Sequence, residues 1–342
     1  MSCLVHHTEH LVPAVLKKIY SSALSVEPTL IGNHTIVQTG VYSQVPGTDR
    51  RLFFGGFSCK PSRDAAIFVA PFEVAERLLA TYYFSTPQLR DSEYAVLSVN
   101  THEPRGSLKA ENVILGPTVA HPKNDLDAVG LGFHGDMRKA IQHAVCELIE
   151  RNILARIWYE QLPIVKLLEC QLENTGYVLS AYSVSCCKAF PFVMATIHDG
   201  ECNFLCLGAS VSCFFSTALE RATAEAIMLV DNILQKKTLL NIENEVSRAR
   251  MVSQSDPAIS LQRKNYLSQL CTASNVSCSD EHYSLGRLMS VLGMKADDFG
   301  YCVLQASQSG CLVRAVNSQL KTLRNYRKEF FGSPQYLREP VC

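Results

Sequence analysis

The pattern Glu-x-x-Glu-Arg occurs twice in this chain, as Glu73, Glu76, Arg77 and as Glu147, Glu150, Arg151, each time inside a largely apolar stretch. Val74, Leu78 and Leu79 surround the first copy, and Ile141, Val145, Leu148, Ile149 and Ile153 the second. Their spacing predicts two helices, so each pair of glutamates shares a face and each arginine lies one turn beyond the first glutamate. Carboxylates embedded in apolar helices need partners, because burying an unpaired charge is strongly unfavourable. A fold that contains both helices must therefore satisfy four acidic groups in its interior or use them.

Taken singly, either motif is satisfied by an ordinary ion pair, Glu73–Arg77 or Glu147–Arg151. Taken together, carboxylates on two helices supply the oxygen ligands that Mg²⁺ prefers, and the arginines suit bidentate contact with phosphate. The pattern points to nucleotide chemistry without a phosphate loop. No G-x-x-x-x-G-K-[ST] occurs, and the stretch Gly55 to Ser62 lacks the second glycine. No G-x-S-x-G is present either. Gly130, Gly132 and Gly135 satisfy G-x-G-x-x-G and open a helix, but the residues before them, Lys123 to Asp127, do not read as a buried parallel strand. A dinucleotide site is therefore set aside.

Composition narrows the partners. Lys plus Arg equals Asp plus Glu at 32 each, so no broad field grips nucleic acid or an anionic membrane. With 47% hydrophobic residues, a sizeable core is expected, and no apolar run reaches the roughly 20 residues of a membrane helix. Fourteen cysteines at irregular spacing, in a chain that opens without a signal-peptide pattern, read as free thiols of a cytoplasmic protein. Cys202 and Cys206, and the vicinal Cys186 and Cys187, read as core residues of strands. His6, His7 and His10 with Glu9 read as a solvated terminus rather than a metal site, and Lys321, Arg324, Arg327 and Lys328 as a solvated helix face.

Periodicity predicts helices over residues 13–25, 71–83 (with Pro71 in the first turn), 136–159 (with Asp136 as N-cap) and 216–236. Strands are expected within 29–57 and at 94–100, 112–119, 176–184, 190–198, 203–212, 300–305 and 311–317. No Gly/Ser linker divides the chain. One integrated α+β domain follows.

The stretch Gly132-Phe-His-Gly-Asp-Met-Arg-Lys-Ala-Ile-Gln-His-Ala-Val-Cys-Glu-Leu-Ile-Glu-Arg151, with Trp158 beyond it, resembles the central motif of the YcaO family. Phe133-His134-Gly135 and Cys146-Glu147 most resemble the YcaO subunit of microcin-type azole synthetases. The Glu73/Glu76/Arg77 helix is similar to the family's first motif, and Arg221 and Glu225 in Ala218–Glu225 to its third. Arg314, in a late strand, is a looser match. The resemblance implies a YcaO core over residues 51–320, with 1–50 part of the same domain, 321–342 a tail, and mixed or antiparallel sheets packed with helices.

It also implies ATP and Mg²⁺ as cofactors. Glu73, Glu76, Glu147, Glu150 and Glu225 would bind metal or nucleotide, and Arg77, Arg151, Arg221, Arg314 and Lys139 would face phosphate. The implied reaction is ATP-dependent cyclodehydration of Cys, Ser or Thr in a ribosomally made precursor peptide, giving thiazoline or oxazoline. Arg314 and the terminal carboxylate of Cys342 would act in it. The resemblance leaves about 50 residues ahead of it, too few for a peptide-recognition domain, so a partner resembling ubiquitin-activating proteins would present the leader. A flavin dehydrogenase would oxidise the rings, and the assembly would be a hetero-oligomer.

This chain departs from the family at three places. Lys139 stands where an acidic residue is usual, Met228 where glutamine is, and Gly132 and Gly135 where small polar residues are. These departures keep two other readings open: a non-catalytic YcaO scaffold subunit, and YcaO-type thioamide formation.

Overall fold

The computed structural model describes residues 28–44, 51–82, 93–113, 128–184, 191–235, 255–272, 280–291 and 293–321, with residues 17, 19, 24, 25, 325 and 326. In chain order the strands and helices begin with β1 (Leu24–Ser25), β2 (Thr29–Ile31), β3 (His34–Gln44), β4 (Arg51–Lys60) and α1 (Arg63–Tyr82). Then come β5 (Glu93–Ser98), β6 (Pro104–Lys109), β7 (Leu131–His134) and α2 (Met137–Tyr159). A second run of strands follows, β8 (Ile164–Gln171), β9 (Tyr177–Val184), β10 (Phe192–Asp199) and β11 (Leu205–Val211), closed by α3 (Phe215–Gln235). The remainder is α4 (Pro257–Leu270), α5 (Leu285–Val291), β12 (Gly300–Ser307) and β13 (Gly310–Val316).

These strands make three sheets whose ladders are all antiparallel. In the first, β3 pairs with β1, β2 and β4. The second has the order β6-β5-β12-β13-β7, and the third the order β11-β10-β9-β8. Each sheet carries one long helix: α1 lies on β3 and β4, α2 on β7 and β13, and α3 on β10 and β11. Helix α2 also touches β11 and so joins the second and third sheets. Its Ile149 and Ile153 are fully buried in a core shared with Val313, Leu207 and Val211.

Helix α2 keeps the expected bounds, and the Asp136 side chain accepts hydrogen bonds from the backbone N–H groups of Arg138 and Lys139. The strands expected at 176–184, 190–198, 203–212, 300–305 and 311–317 and the helix at 216–236 form within two residues of those bounds. Helix α1 is different. It begins at Arg63, one residue after Ser62, whose Oγ accepts from the N–H of Ala65, and Pro71 lies inside it rather than in its first turn. Proline lacks the N–H that would bond one turn back, but Ala66, Ala70 and Val74 are fully buried, and that packing carries the helix through.

Four strands, β1, β6, β7 and β8, were not predicted, and β1 takes the end of the stretch expected to be helical at 13–25. The Gly130–Gly135 run is not a loop after a parallel strand. It contains β7, which pairs antiparallel with β13 and excludes the dinucleotide-binding arrangement. The described cysteines are free thiols, most of them buried. No helix among the described residues is long and apolar enough to cross a membrane. The terminal histidines, Cys186, Cys187, Arg324, Arg327, Lys328, Cys342 and most of the helix expected at 13–25 and the strand at 112–119 lie outside the described residues.

Candidate active site

Each long helix approaches its sheet at a glycine, and the approach sets the position of the acidic groups. A Cβ on Gly56 would meet Ala70 O at 2.5 Å, one on Gly132 would meet Ala140 O at 2.3 Å, and one on Gly208 would meet Ala222 O at 2.2 Å. Nothing larger than hydrogen fits there. The close approach brings helix side chains within reach of the strand's next amide. Phe57 N–H donates to Glu73 Oε2 at 2.6 Å, and Ala209 N–H donates to Glu225 Oε2 at 2.8 Å.

The remaining anchored glutamates reach across to a strand that carries a different helix. Phe133 N–H, on β7, donates to Glu76 Oε2 of α1 at 3.1 Å. Val211 N–H, on β11, donates to Glu150 of α2. The acidic residues thus stitch α1 to the strand under α2, and α2 to the strand beside α3.

The result is a continuous row of carboxylates from three helices. Glu73 acts on Glu76, Glu76 on Glu147, Glu147 couples to Glu150, and Glu150 to Glu225. Loss of hydration first, and neighbouring negative charge second, pushes Glu76 up to about 7. Burial likewise pushes Glu150 up to about 8 and Glu147 well above the usual carboxylate range, although Arg151 opposes both. A cation among these acids would relieve their mutual repulsion.

Positive groups flank the row. Arg151 Nε lies 3.3 Å from Glu150 Oε1, and its other nitrogen 3.7 Å from Glu225 Oε1, so it bridges α2 and α3. Arg314, buried on β13, lowers the pKa of Glu147. Arg77 pairs with Glu73 at 2.5 Å and donates to Gly55 O at 3.2 Å, which fixes Glu73 to β4. Arg221, exposed at the start of α3, acts on Glu150. Lys139 is exposed in the first turn of α2, and the carboxylate its charge acts on is Asp136. Met228 is packed in the core between α3 and its sheet.

A family model described as YcaO cyclodehydratase, ATP- and Mg²⁺-binding, matches residues 121–270. The fold is also that of YcaO from Methanopyrus kandleri bound with AMPPCP and Mg²⁺, at TM-score 0.64 and 14% identity over 95% of this chain and 92% of that one. Residues 121–270 match the YcaO family, and the chain has the YcaO fold.

Other solved structures have the same fold. A chain of the E. coli microcin synthetase McbBCD complex matches at TM-score 0.59 and 16% identity, over 86% of this chain and 87% of that one. A heterocyclase in complex with substrate and cofactor matches at TM-score 0.63 and 12% identity over 91% of this chain, which spans 52% of that one. No curated protein matches this sequence significantly.

ATP and Mg²⁺, the ligands in that family's description, fit the residues present. Among the described residues no group of three His, Cys, Asp or Glu side chains is placed to hold an ion by itself. Mg²⁺ needs no such group, since it is usually bound through one or two carboxylates with phosphate and water completing its shell. The row offers such pairs in Glu76 with Glu147, Glu147 with Glu150, and Glu150 with Glu225. Arg151 and Arg314 beside them suit phosphate.

The helix–sheet contacts also single out a residue that the sequence reading passed over. Relative to the contacts of Gly56 and Gly208, Glu73 and Glu225 follow Ala70 and Ala222 by three residues; the equivalent residue after Ala140, which Gly132 meets, is His143. Solvent reaches its ring, yet surrounding protein, then the charges of Arg221 and His134, lower its pKa to about 4. Its spacing of four from Glu147, on one helix face, was the available signal.

Proposed function

We propose that this protein catalyses ATP-dependent cyclodehydration of Cys, Ser or Thr residues in a ribosomally made precursor peptide, giving thiazoline or oxazoline rings within a peptide-modifying complex. The convergence of Glu73, Glu76, Glu147, Glu150 and Glu225 from three helices into one electrostatically coupled row carries this reading. A leader-presenting partner resembling ubiquitin-activating proteins and a ring-oxidising flavin dehydrogenase complete the proposed assembly.

In ring formation a side-chain sulfur or oxygen bonds to the preceding amide carbon, and the former carbonyl oxygen departs poorly. ATP supplies the phosphoryl group that lets that oxygen leave as phosphate. The chain's own part is positioning and charge neutralisation. Glu76, Glu147, Glu150 and Glu225 would hold Mg²⁺ through their carboxylate oxygens. Arg151, already bridging Glu150 and Glu225, keeps those two carboxylates in place while offering remaining N–H groups to phosphate. Arg314 adds positive charge beside Glu147, Arg221 does so near Glu150, and Arg77 secures Glu73. Lys139 and the carboxylate of Cys342 are assigned supporting roles at the phosphates and at the peptide, respectively.

The test is to incubate the purified chain with its partners, precursor peptide and Mg-ATP and to weigh the peptide. Loss of one water per ring, dependent on ATP, is expected. No mass change, or exchange of oxygen for sulfur, rejects the proposal.

A further inference from the structure

We propose that Cys146 and Cys213 are a reversible oxidation site, at which a small disulfide such as oxidised glutathione converts the two thiols into an intramolecular disulfide joining α2 to the end of β11. Three contacts register these two elements. Gln142 Nε2 donates to Cys213 Sγ at 2.8 Å. Cys146, one turn further along α2, hydrogen-bonds Cys213 thiol to thiol. One turn beyond that, Glu150 accepts from the N–H of Val211. The pair is therefore held from both sides, with each thiol less than 5% exposed: 3% for Cys146 and 4% for Cys213.

The other buried cysteines lack such a setting. Cys59, Cys206, Cys302 and Cys311 are, like Cys146, pushed toward the thiol form, but none of the four has a cysteine among its interacting neighbours. Cys213 follows the end of β11 and precedes Phe214, whose side chain is exposed, and it is the less deeply buried of the two sulfurs. In the first step Cys213 sulfur attacks the small disulfide and releases one thiol. Cys146 then attacks the mixed disulfide at Cys213, forming the internal bond and releasing the second thiol. The protein loses two protons and two electrons, and the small disulfide gains them.

Closure has a consequence for the acidic row, a point that rests on the proposed nucleotide function. A disulfide shortens the sulfur–sulfur separation from hydrogen-bond distance to about 2.05 Å. Cys146 immediately precedes Glu147 on α2, and Val211 holds Glu150. Drawing α2 toward the β11–α3 connection therefore shifts both carboxylates, and the oxidised protein binds Mg-ATP about tenfold more weakly.

The full chain is reduced, exposed to oxidised glutathione, digested without reductant and mapped by mass spectrometry. A peptide pair linked through residues 146 and 213, lost on adding dithiothreitol, is expected. Cys146→Ser should leave a glutathione adduct on Cys213 instead of the link. Absence of the link in the wild-type chain, or linkage of either residue to a different cysteine, overturns the proposal and needs no variant to fold. Calorimetry with Mg-ATP on reduced and oxidised chain then tests the consequence. Equal affinities refute control by the disulfide, whereas failure of the reduced chain to bind refutes the nucleotide reading and leaves the mapping result standing.

Discussion

Glu76 of α1 accepts the backbone N–H of Phe133, on the strand beneath α2, at 3.1 Å. This bond ties the first acidic motif to the central one, and its partner amide is on the side of β7 away from its ladder with β13. Charge and attachment are separable here. Glu76→Gln keeps an oxygen acceptor and should leave folding stability nearly unchanged while lowering Mg-ATP affinity at least about tenfold. Glu76→Ala should in addition destabilise the fold by about 1–3 kcal/mol, because the Phe133 amide loses its partner. Urea denaturation and calorimetry measure the two effects on the same preparations.

Glu147 stands in the middle of the row, with Glu76 on one side and Glu150 on the other, and carries a strongly raised pKa. Replacing it with glutamine removes the repulsion but also a ligand oxygen charge. The expected outcome is a chain that melts at the same or a higher temperature without ligand, yet gains no thermal stabilisation from Mg-ATP. A variant that melts lower and still responds to Mg-ATP would contradict this assignment.

Stability should fall as pH rises across neutrality. Glu76 and Glu150 titrate in the folded state at about 7 and about 8 against an ordinary value of 4.5, so the folded chain holds protons that the unfolded chain has lost. Stability from these groups is fully present below the ordinary value and disappears as pH climbs through the folded values. His143 has the opposite sign, since its folded value of about 4 lies below the ordinary 6.5, but its contribution is complete above 6.5. The carboxylates therefore lower the urea midpoint from about pH 4.5 to 8, and above about 6.5 they do so without the opposing His143 contribution. Mg-ATP should flatten the fall and release protons, seen as a binding enthalpy that depends on the buffer's ionisation heat. Adding EDTA should restore the slope.

Gly208→Ala places a Cβ 2.2 Å from Ala222 O and 2.8 Å from Glu225 Cβ. It should destabilise the chain by about 1–3 kcal/mol and weaken Mg-ATP binding, because α3 and Glu225 must move off β11. Gly135→Ala meets nothing within 4 Å and should change the urea midpoint little. Comparable losses in both variants would show that the helix–sheet spacing is not what the glycine provides.

Much of this was legible in the sequence, for identifiable reasons. The bounds of α2 follow from a cap that can be read directly, Asp136, and from an unbroken apolar spacing. The acidic motifs were legible because carboxylates at fixed positions in apolar helices have few places to go. Strand β6 was not legible: five of the six residues in Pro104–Lys109 are exposed, so no alternation marks it. Pro71 misplaced the start of α1 because proline favours a first turn unless packing overrides it. His143 was passed over because its meaning depends on where Gly132 meets α2, and the partnership of Cys146 with Cys213 depends on a contact between distant stretches of chain.

The place of β7 at the edge of its sheet also governs when the centre can exist. Among the described residues, 131–134 find their ladder partners only in 311–314, and Arg314 acts on Glu147 from that same strand. During synthesis, the ribosome has delivered every glutamate of the row long before the hairpin of β12 and β13 emerges. Until it does, β7 has no neighbour and the acids lack Arg314, so a chain halted before residue 310 cannot assemble a complete centre.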